Sequence, residues 1–351
     1  MQRLTRILRP INTESLRNVC IIEDENLTMA KIGLIGCGMW GQNLARNLAQ
    51  LGALTAVVDQ NAKAAEEFAL TFNVNALSIE ELIDCKEING VVISTSAASH
   101  DKLAVAALRA GKHIYVEKPL SLSLAGANAI KSAAKSAKRQ VMVGHLIRYH
   151  AAFIELEKQL AGGAVGNLFH IQANRLAMGR IRNTESVLFD LCPHDLSLIL
   201  ALVGDTPNKI HCSGASHLTP SVVDFLSSTL GFKSGVSAGM QTSWLSPFKE
   251  HRLTVTGSTG SLVFDDTKPW SEKLTLFQDT MQLNGEHFLI NRADPIFLPV
   301  AEAEPLKNEM RIFLKSCDNN SPTPTDINEA ITVQKVLESM QNTLIDTSFK
   351  F

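Results

Sequence analysis

The sequence predicts an α/β protein of two domains, in which a doubly wound parallel sheet precedes a second α/β domain with a mainly antiparallel sheet. Short apolar runs alternate with amphipathic helical segments from Lys31 to about Arg148, which is typical of a parallel sheet. Beyond residue 148, strand-like runs follow one another through short turns, which favours antiparallel pairing. The length of 351 residues is about twice that of a usual domain, and so indicates two.

The first half contains the elements of a parallel sheet in regular alternation. We expect strands at residues 32–35, 54–58, 91–94, 113–116 and 140–143, and helices at residues 42–51, 62–72, 101–110 and 124–137. In the second half we expect strands at 168–176, 209–213, 225–232, 236–244, 252–256, 261–264 and 273–277, and helices at 153–160, 306–317 and 327–344.

Residues 1–28 differ from the rest of the chain. They contain four arginines, but acidic residues are interspersed and there is no apolar stretch of the kind that a signal peptide needs. Met29 directly precedes the first strand. We therefore expect a disordered or mis-assigned extension at 1–28, a first domain at 29–147 and a second domain at 148–351.

Composition excludes several classes of protein. Thirty-three basic residues against 35 acidic ones leave no broad positive field for nucleic acid or anionic lipid, so a small-molecule ligand is expected. The six cysteines are scattered without the paired spacing of a zinc site or a disulfide framework, and we expect no metal. The longest apolar runs fall well short of the roughly 18 residues that span a bilayer. A cytoplasmic protein without a membrane segment is predicted.

A glycine loop follows the first strand, with the sequence Gly36-Cys37-Gly38-Met39-Trp40-Gly41. In such a loop the first glycine permits the tight turn, the second lets the backbone approach a pyrophosphate, and the third allows helix and strand to pack closely. Asp59 ends the second strand, where its carboxylate can accept hydrogen bonds from both ribose hydroxyls and would repel a 2′-phosphate. The pattern predicts a Rossmann domain that binds NAD, with NADP less favoured.

Two further motifs accompany this loop, Glu117-Lys118-Pro119 after a strand and Asp190-x-x-x-His194 in the second half. Together, the three features resemble the glucose–fructose oxidoreductase/inositol dehydrogenase/MocA-like (Gfo/Idh/MocA) family. The resemblance covers nearly everything from Lys31 to the end of the chain. It implies an NAD-binding Rossmann domain followed by an α/β domain with a large, mainly antiparallel sheet. The resemblance also implies that this second domain, at 148–351, serves substrate binding and oligomerisation, in a homodimer or homotetramer.

A narrower resemblance lies in residues 143–150 (VGHLIRYH), 174–175 (NR), 193–197 (PHDLS) and 243–250 (SWLSPFKE). These segments look like the subgroup that oxidises UDP-N-acetylglucosamine at its 3-hydroxyl. The resemblance implies that an aminotransferase converts the 3-keto product into an amino sugar for lipid A or another surface polysaccharide. Many family members have glycine and aspartate where this chain has Pro193 and Ser197.

Oxidation of a secondary alcohol needs a base for the hydroxyl proton, and His194 suits that task because its ordinary pKa is close to neutral. If one helix contained both residues, Asp190 would share a face with His194 and take a catalytic role by orienting its imidazole and stabilising the cation, although Pro193 favours a later helix start. Lys118 is expected to polarise the reacting hydroxyl, since it lies at the strand end where doubly wound sheets bind ligands. Glu117 would pair with this lysine or hold the cofactor.

The other candidates surround these groups. Ser94, Thr95 and His100 either border the dinucleotide or cap a helix, while His145 and Arg148 are expected to contact the substrate. A guanidinium group matches phosphate oxygens well, so a UDP diphosphate is the expected ligand of three arginines that otherwise form a solvated basic face: Arg175, Arg180 and Arg182. Trp244 either stacks on the substrate or lies in the core.

The leading hypothesis is therefore an NAD-dependent dehydrogenase that oxidises the 3-hydroxyl of a UDP-sugar, most favourably UDP-N-acetylglucosamine. One alternative is a dehydrogenase of a free sugar, inositol or a UDP-sugar uronate. A second alternative is an NAD-binding regulator without catalysis, which the presence of both Lys118 and His194 disfavours.

Overall fold

A computed structural model describes residues 29–179 and 181–346. Contacts between residues separate two compact units. The N-terminal unit consists of the described residues up to 150 together with residues 303–335, and the C-terminal unit consists of residues 151–302 and the described residues from 336 onward. The two predicted domains are each continuous in sequence and meet after residue 147. The N-terminal unit of the structure, in contrast, also includes residues 303–335 from near the end of the sequence. The extension predicted for residues 1–28 lies outside the described residues.

The N-terminal unit is built on a parallel sheet with the strand order β3-β2-β1-β4-β5-β6. Its elements follow in chain order: β1 Ile32–Ile35, α1 Met39–Gln50, β2 Leu54–Val58, α2 Ala62–Phe72, β3 Asn75–Ala76, α3 Ile79–Asp84, β4 Gly90–Ile93, α4 Ala97–Arg109, β5 His113–Val116, α5 Leu124–Ala137 and β6 Val141–Val143. A 3₁₀ turn at Leu146–Tyr149 ends this part of the chain.

Strands β1, β4 and β5 are buried along their whole length, which explains why they appear in the sequence as continuous apolar runs. One core lies between the sheet and the helices that include α4 and α5, and the other lies against α1. Because both faces are covered, the ends of the strands are the places where polar side chains remain accessible to a ligand.

Residues 303–335 complete the second core. Helix α9 (Pro305–Asn319) buries Leu306, Met310 and Phe313 beside the apolar side chains of α1. Thr325 continues the sheet edge, since its carbonyl accepts a hydrogen bond from the Val143 amide at 2.9 Å and its hydroxyl donates to the Val143 carbonyl at 2.7 Å. The last helix, α10, spans Ile327–Thr343.

The C-terminal unit contains a sheet with the strand order β16-β13-β12-β11-β7-β10-β9-β8-β17. Its elements are α6 Ala151–Ala161, β7 Leu168–Leu176, α7 Val187–Asp190, α8 Cys192–Val203, β8 Lys209–Ala215, β9 Phe225–Gly231, β10 Ser237–Ser243, β11 Glu250–Gly257, β12 Ser261–Asp265, β13 Leu274–Phe277, β14 Thr280–Asn284, β15 His287–Asn291, β16 Ile296–Phe297 and β17 Leu344–Asp346. Strand β7 pairs in parallel with β10, as β8 does with β17, and the other pairs are antiparallel.

Side chains of the central strand β7 alternate between buried and partly exposed positions. Ile171 and Ala173 lie on the buried side, and helix α8 packs against β7 and β10. This alternation is the pattern of a sheet with one covered face. Its other face carries polar side chains such as Gln172 and Asn174, which are only partly buried.

The structure confirms the predicted fold class, a parallel doubly wound sheet followed by a large, mainly antiparallel one. The expected strands and helices lie within a few residues of the observed ones. Sequence reasoning did not predict the exposed hairpin of β14 and β15 or the short helix α7. No helix in the described part of the chain is long and apolar enough to cross a membrane.

Candidate functional site

The glycine loop connects β1 to α1, and its backbone explains why glycine is needed at two positions. Gly36 has a φ of +110°, and a side chain there would lie 2.8 Å from the carbonyl group of Ser94. A side chain at Gly41 would collide with the carbonyl oxygen of Gly36. The loop is therefore a tight turn that leads directly into the first turn of α1.

Gly38 differs from the other two glycines, because a Cβ atom there would lie in open space. It is the N-cap of α1, so the unpaired amides of the first helical turn face the same space. Met39 and Trp40 remain 72% and 40% exposed beside it. An open concavity at a helix N-terminus fits the pyrophosphate of a dinucleotide.

Asp59 follows β2 and is held by the backbone. One carboxylate oxygen accepts a hydrogen bond from the Cys37 amide at 2.7 Å, and the other accepts one from the Asn61 amide at 2.8 Å. Each oxygen retains a lone pair for a further donor. The carboxylate is thus fixed beside the glycine loop, which is the position that ribose recognition requires.

Ser94, Thr95 and His100 lie at the carboxyl end of β4 and in α4. The Ser94 hydroxyl donates to the Gly36 carbonyl at 2.9 Å and so supports the glycine loop, while Thr95 pairs with the Ser99 hydroxyl at 2.7 Å. His100 is buried, with one ring nitrogen 2.8 Å from the Pro119 carbonyl and the other 3.1 Å from that of Thr95. Burial lowers the pKa of His100. Their predicted contact with the cofactor stays a prediction.

The Glu117-Lys118-Pro119 turn follows β5 and contains a cis peptide bond between Lys118 and Pro119. Glu117 accepts hydrogen bonds from the Trp40 indole N–H at 2.5 Å and from the Tyr115 hydroxyl at 2.8 Å. Its second oxygen accepts from the Lys118 amide at 3.3 Å. Burial raises the pKa of Glu117, although these donors and the charge of Lys118 oppose the rise.

His145 and Arg148 lie after β6, and both are buried. His145 Nε2 lies 3.5 Å from a carboxylate oxygen of Glu329 in α10. Burial lowers the pKa of His145 against the opposing charge of Glu329, and the charges of Arg148 and Lys118 also lower it. The charges of Arg148 and Lys118 therefore both act on the imidazole of His145.

In the C-terminal unit, Asp190 and His194 belong to successive helices rather than to one. Asp190 is the last residue of α7, and His194 lies in the first turn of α8, with Pro193 at its start. Asp190 accepts hydrogen bonds at 3.3 Å from Arg182 and from the indole N–H of Trp244. These contacts connect Asp190 to Arg182 and to Trp244, the residue that follows β10.

Two of the candidate arginines pair with acidic side chains. Arg175 forms a two-pronged ion pair with Asp195, at 2.9 Å and 2.7 Å, and both side chains are buried. Arg182 pairs with Asp190 at 3.3 Å, and its side chain is 37% exposed. Arg182 thus retains donors toward solvent, whereas the pair with Asp195 occupies Arg175. Arg180 lies outside the described residues. Trp244 is buried.

Several residues at the site were missed by sequence reasoning, above all Glu309 in α9. Its side chain is fully buried near Tyr115 and Glu117, and burial, together with the charge of Glu117, raises its pKa well above the usual range. The sequence contains no signal for this contact, because Glu309 occurs in an ordinary helical pattern far along the chain. Asp195 was detectable, since it directly follows His194.

Comparison with known proteins identifies the family. A profile described as an oxidoreductase family with an NAD-binding Rossmann fold matches residues 30–145, and the GFO/IDH/MocA C-terminal domain matches residues 153–263. The chain belongs to this oxidoreductase family. The predicted family resemblance is thus confirmed, and the relatives include a UDP-sugar dehydrogenase and inositol dehydrogenases.

Individual relatives include two enzymes with different substrates. The chain is 31% identical over 215 residues to a UDP-N-acetylglucosamine 3-dehydrogenase of Acidithiobacillus ferrooxidans. The aligned region covers 61% of this chain and 66% of that protein. A solved structure of that enzyme aligns with a TM-score of 0.78 at 25% identity, over 90% of this chain and 97% of the other. A myo-inositol 2-dehydrogenase of Thermotoga maritima is 24% identical over 83% of this chain and 89% of its own length.

Proposed function

We propose that this protein is an NAD-dependent dehydrogenase that oxidises the 3-hydroxyl of a UDP-sugar, with UDP-N-acetylglucosamine as the preferred substrate. The observation that carries the reaction type is the turn after β5, where Lys118 follows a carboxylate that Trp40 fixes and its charge lowers the pKa of the buried His145. A lysine in this position can polarise an alcohol oxygen at the ligand-binding edge of the sheet.

The proposed roles of the other residues follow from their contacts. When NAD is bound, it supplies the hydride acceptor. Lys118 holds the hydroxyl oxygen at its ammonium group, and His194 is the base that receives the hydroxyl proton on an imidazole nitrogen. Asp190 accepts hydrogen bonds from Arg182 and Trp244, so we propose that it also orients Arg182 toward the substrate, beside the catalytic role at His194.

The substrate class rests on two observations. Overall likeness to the UDP-N-acetylglucosamine 3-dehydrogenase extends over 90% of the chain. Arg182 provides a partly exposed guanidinium that is oriented by Asp190 and matches a diphosphate. Arg175, which pairs with Asp195, is proposed to support the sheet beside this region.

The deciding experiment supplies the full-length protein with NAD⁺ and UDP-N-acetylglucosamine and follows the absorbance of NADH. We expect turnover, and a product whose new carbonyl group is at position 3 by NMR. Assays with UDP-glucose and UDP-galactose test how specific the enzyme is for the sugar of its substrate. Absence of turnover with every UDP-sugar would reject the proposed function.

A polyol dehydrogenase is the second candidate, favoured by the likeness to the myo-inositol 2-dehydrogenase over 83% of the chain. Inositol and glucose carry no phosphate, so their oxidation would not depend on Arg182. Turnover of myo-inositol that is unchanged in an Arg182→Met variant would favour this candidate over the first.

Preference for NAD over NADP is proposed from the fixed carboxylate of Asp59. Its negative charge, held next to the Cys37 amide, disfavours a 2′-phosphate at the same position. Replacement Asp59→Ser should reduce the ratio of NAD⁺ to NADP⁺ affinity by about tenfold, because one like-charge repulsion is removed. Calorimetric titration of both cofactors measures that ratio.

Association into a homodimer or homotetramer is also proposed, and the partly exposed polar face of the C-terminal sheet is available for it. Sedimentation equilibrium tests this point. A 3-keto sugar carries a carbonyl that an aminotransferase can convert to an amine, so we propose such an enzyme as the next step.

A further inference from the structure

Trp40 links two motifs that are far apart in the sequence. It belongs to the glycine loop, and its indole N–H donates to Oε1 of Glu117 at 2.5 Å, across 77 positions of the chain. The acceptor is a carboxylate, and hydrogen bonds to ionised acceptors are stronger than those between neutral groups. Through this bond the turn with Glu117 and Lys118 is joined to the start of α1.

The environment of Trp40 argues against a role in packing alone. Its side chain is 40% exposed, whereas the large apolar side chains of the surrounding core, such as Tyr115 and Phe313, are fully buried. Tryptophan buried for its area would instead be enclosed by apolar neighbours. The exposed part lies beside Met39 at the helix N-terminus, where the dinucleotide is expected.

Glu117 is held from three directions. Trp40 and the Tyr115 hydroxyl donate to the same oxygen, and the other oxygen accepts from the Lys118 amide. The titratable groups that face this carboxyl are Tyr115 from β5, Lys118 from the same turn and Glu309 from α9. Of the side chains that donate to Glu117, Trp40 alone comes from the glycine loop.

We propose that Trp40 is a positioning residue, which holds Glu117, and through it Lys118, in a fixed place relative to the glycine loop. Binding of the dinucleotide over Trp40 is then coupled to the orientation of Lys118. The inference rests on the proposed function, since Lys118 acts on the substrate in that scheme. It goes beyond cofactor contact, because it assigns the indole N–H a task that a phenyl ring cannot perform.

The test replaces Trp40 by phenylalanine in the full-length protein, which keeps an aromatic ring and removes the donor. Glu117→Gln weakens the same bond from the other side, and the double variant completes a cycle. Trp270→Phe is the matched control, because it removes an indole from the C-terminal unit that lies over Lys273 instead. Two measurements are made: kcat and KM with NAD⁺ and UDP-N-acetylglucosamine, and the rate of Lys118 acetylation by peptide mass spectrometry.

For Trp40→Phe we expect kcat to fall by about tenfold or more, as for the loss of a hydrogen bond to a charged group, while KM for NAD⁺ changes by less than about threefold. Acetylation of Lys118 should change by at least about threefold without any sugar present. In the Trp40→Phe background, Glu117→Gln should lower kcat only slightly further, because both substitutions act on the same hydrogen bond.

The inference is overturned if Trp40→Phe matches Trp270→Phe in both measurements, or if it weakens NAD⁺ binding alone and leaves Lys118 acetylation unchanged. A poorly folded Trp40→Phe protein shifts the decision to Glu117→Gln, which must then alter Lys118 acetylation. Failure of the proposed function gives a different result, in which the wild-type protein oxidises no sugar nucleotide. The acetylation rates decide the role of Trp40 in that case too.

Discussion

The two units of the molecule hold the charged groups of their candidate residues in different ways. In the N-terminal unit, two backbone amides fix the carboxylate of Asp59, so its charge stays available to a ligand, while Trp40, Tyr115 and the Lys118 amide hold Glu117. In the C-terminal unit, Arg175 is held by the opposite charge of Asp195. A charge fixed by neutral dipoles remains active toward a ligand, whereas a charge fixed by its counter-ion is largely neutralised.

This difference separates the candidate arginines by their capacity to bind a phosphate. Arginines in a short segment suggest a diphosphate site, but only those with donors left over can bind a phosphate. Arg182, with 37% of its side chain exposed, meets that condition better than the buried Arg175.

The largest effect is expected for Lys118→Ala. Removing the group that polarises the reacting oxygen should lower kcat for UDP-N-acetylglucosamine by about 10²–10⁴-fold, the usual range for acid–base assistance. Affinity for NAD⁺ should change little, because Asp59 and the glycine loop are intact. Lys102→Ala, which removes an exposed lysine of α4, is the control. Equal kcat values for the two variants would contradict the proposed role of the turn.

Asp195→Ala tests whether the charge of Arg175 is structural. The substitution leaves a buried guanidinium without its counter-ion, so the free energy of unfolding should fall by about 3–5 kcal/mol. Urea denaturation measures the loss. The double variant Arg175→Met/Asp195→Leu should recover part of it, because no unpaired charge remains. Unchanged stability together with a raised KM for the substrate would instead make Arg175 a ligand-binding residue.

Buried histidines offer a comparison of stability between the units. Burial lowers the pKa of His113 in β5 to about 4, and that of His251 in β11 also to about 4. The unfolded chain therefore takes up protons first, near the ordinary value of 6.5. Stability from each group is complete above that value and is lost as the pH falls from about 6.5 toward 4.

His113→Asn keeps an acceptor for the Gln140 amide but does not titrate in this range. Between pH 6.5 and 4, the wild-type protein should lose about 2 kcal/mol that the variant retains. His251→Asn, in the C-terminal unit, should likewise reduce the loss of stability over the same pH range. Thermal unfolding followed at several pH values checks both, and parallel curves for wild type and variants would contradict the assignment.

The smallest effect is expected for Arg182→Met. Loss of one partly exposed guanidinium should raise KM for UDP-N-acetylglucosamine by about tenfold and leave kcat within about twofold. Arg252→Met is the matched control, because Arg252 also pairs with an acid in the same unit and its side chain is 46% exposed. An equal KM in both variants would remove Arg182 from the binding site.

Much of the fold was predictable because it depends on local patterns. Continuous apolar runs predicted the doubly covered strands β1, β4 and β5, and strand-like runs joined by short turns predicted strands such as β7. The hairpin of β14 and β15 was missed, since its apolar side chains, among them Met281 and Phe288, are exposed and have no periodic signature of burial.

The candidate site was predictable where a motif is contiguous in the sequence. The glycine loop and the Glu117-Lys118-Pro119 turn each lie within a few residues. Contacts between distant segments were not predictable, such as Trp40 with Glu117 or Glu309 near Tyr115. Pairing of Arg175 with Asp195 depends on the packing of α8 on β7, which no local pattern encodes.

Residues 303–335 have a consequence for the order of folding during synthesis. The parallel sheet leaves the ribosome early, but Leu306, Met310 and Phe313 of α9 belong to its core and are made only after the whole of strands β7 to β16. Until then the surface that α9 covers is open to solvent, which is the condition under which nascent chains aggregate. A chain that stops after residue 302 would therefore lack part of a hydrophobic core, and the N-terminal unit expressed alone requires residues 303–335 to be supplied.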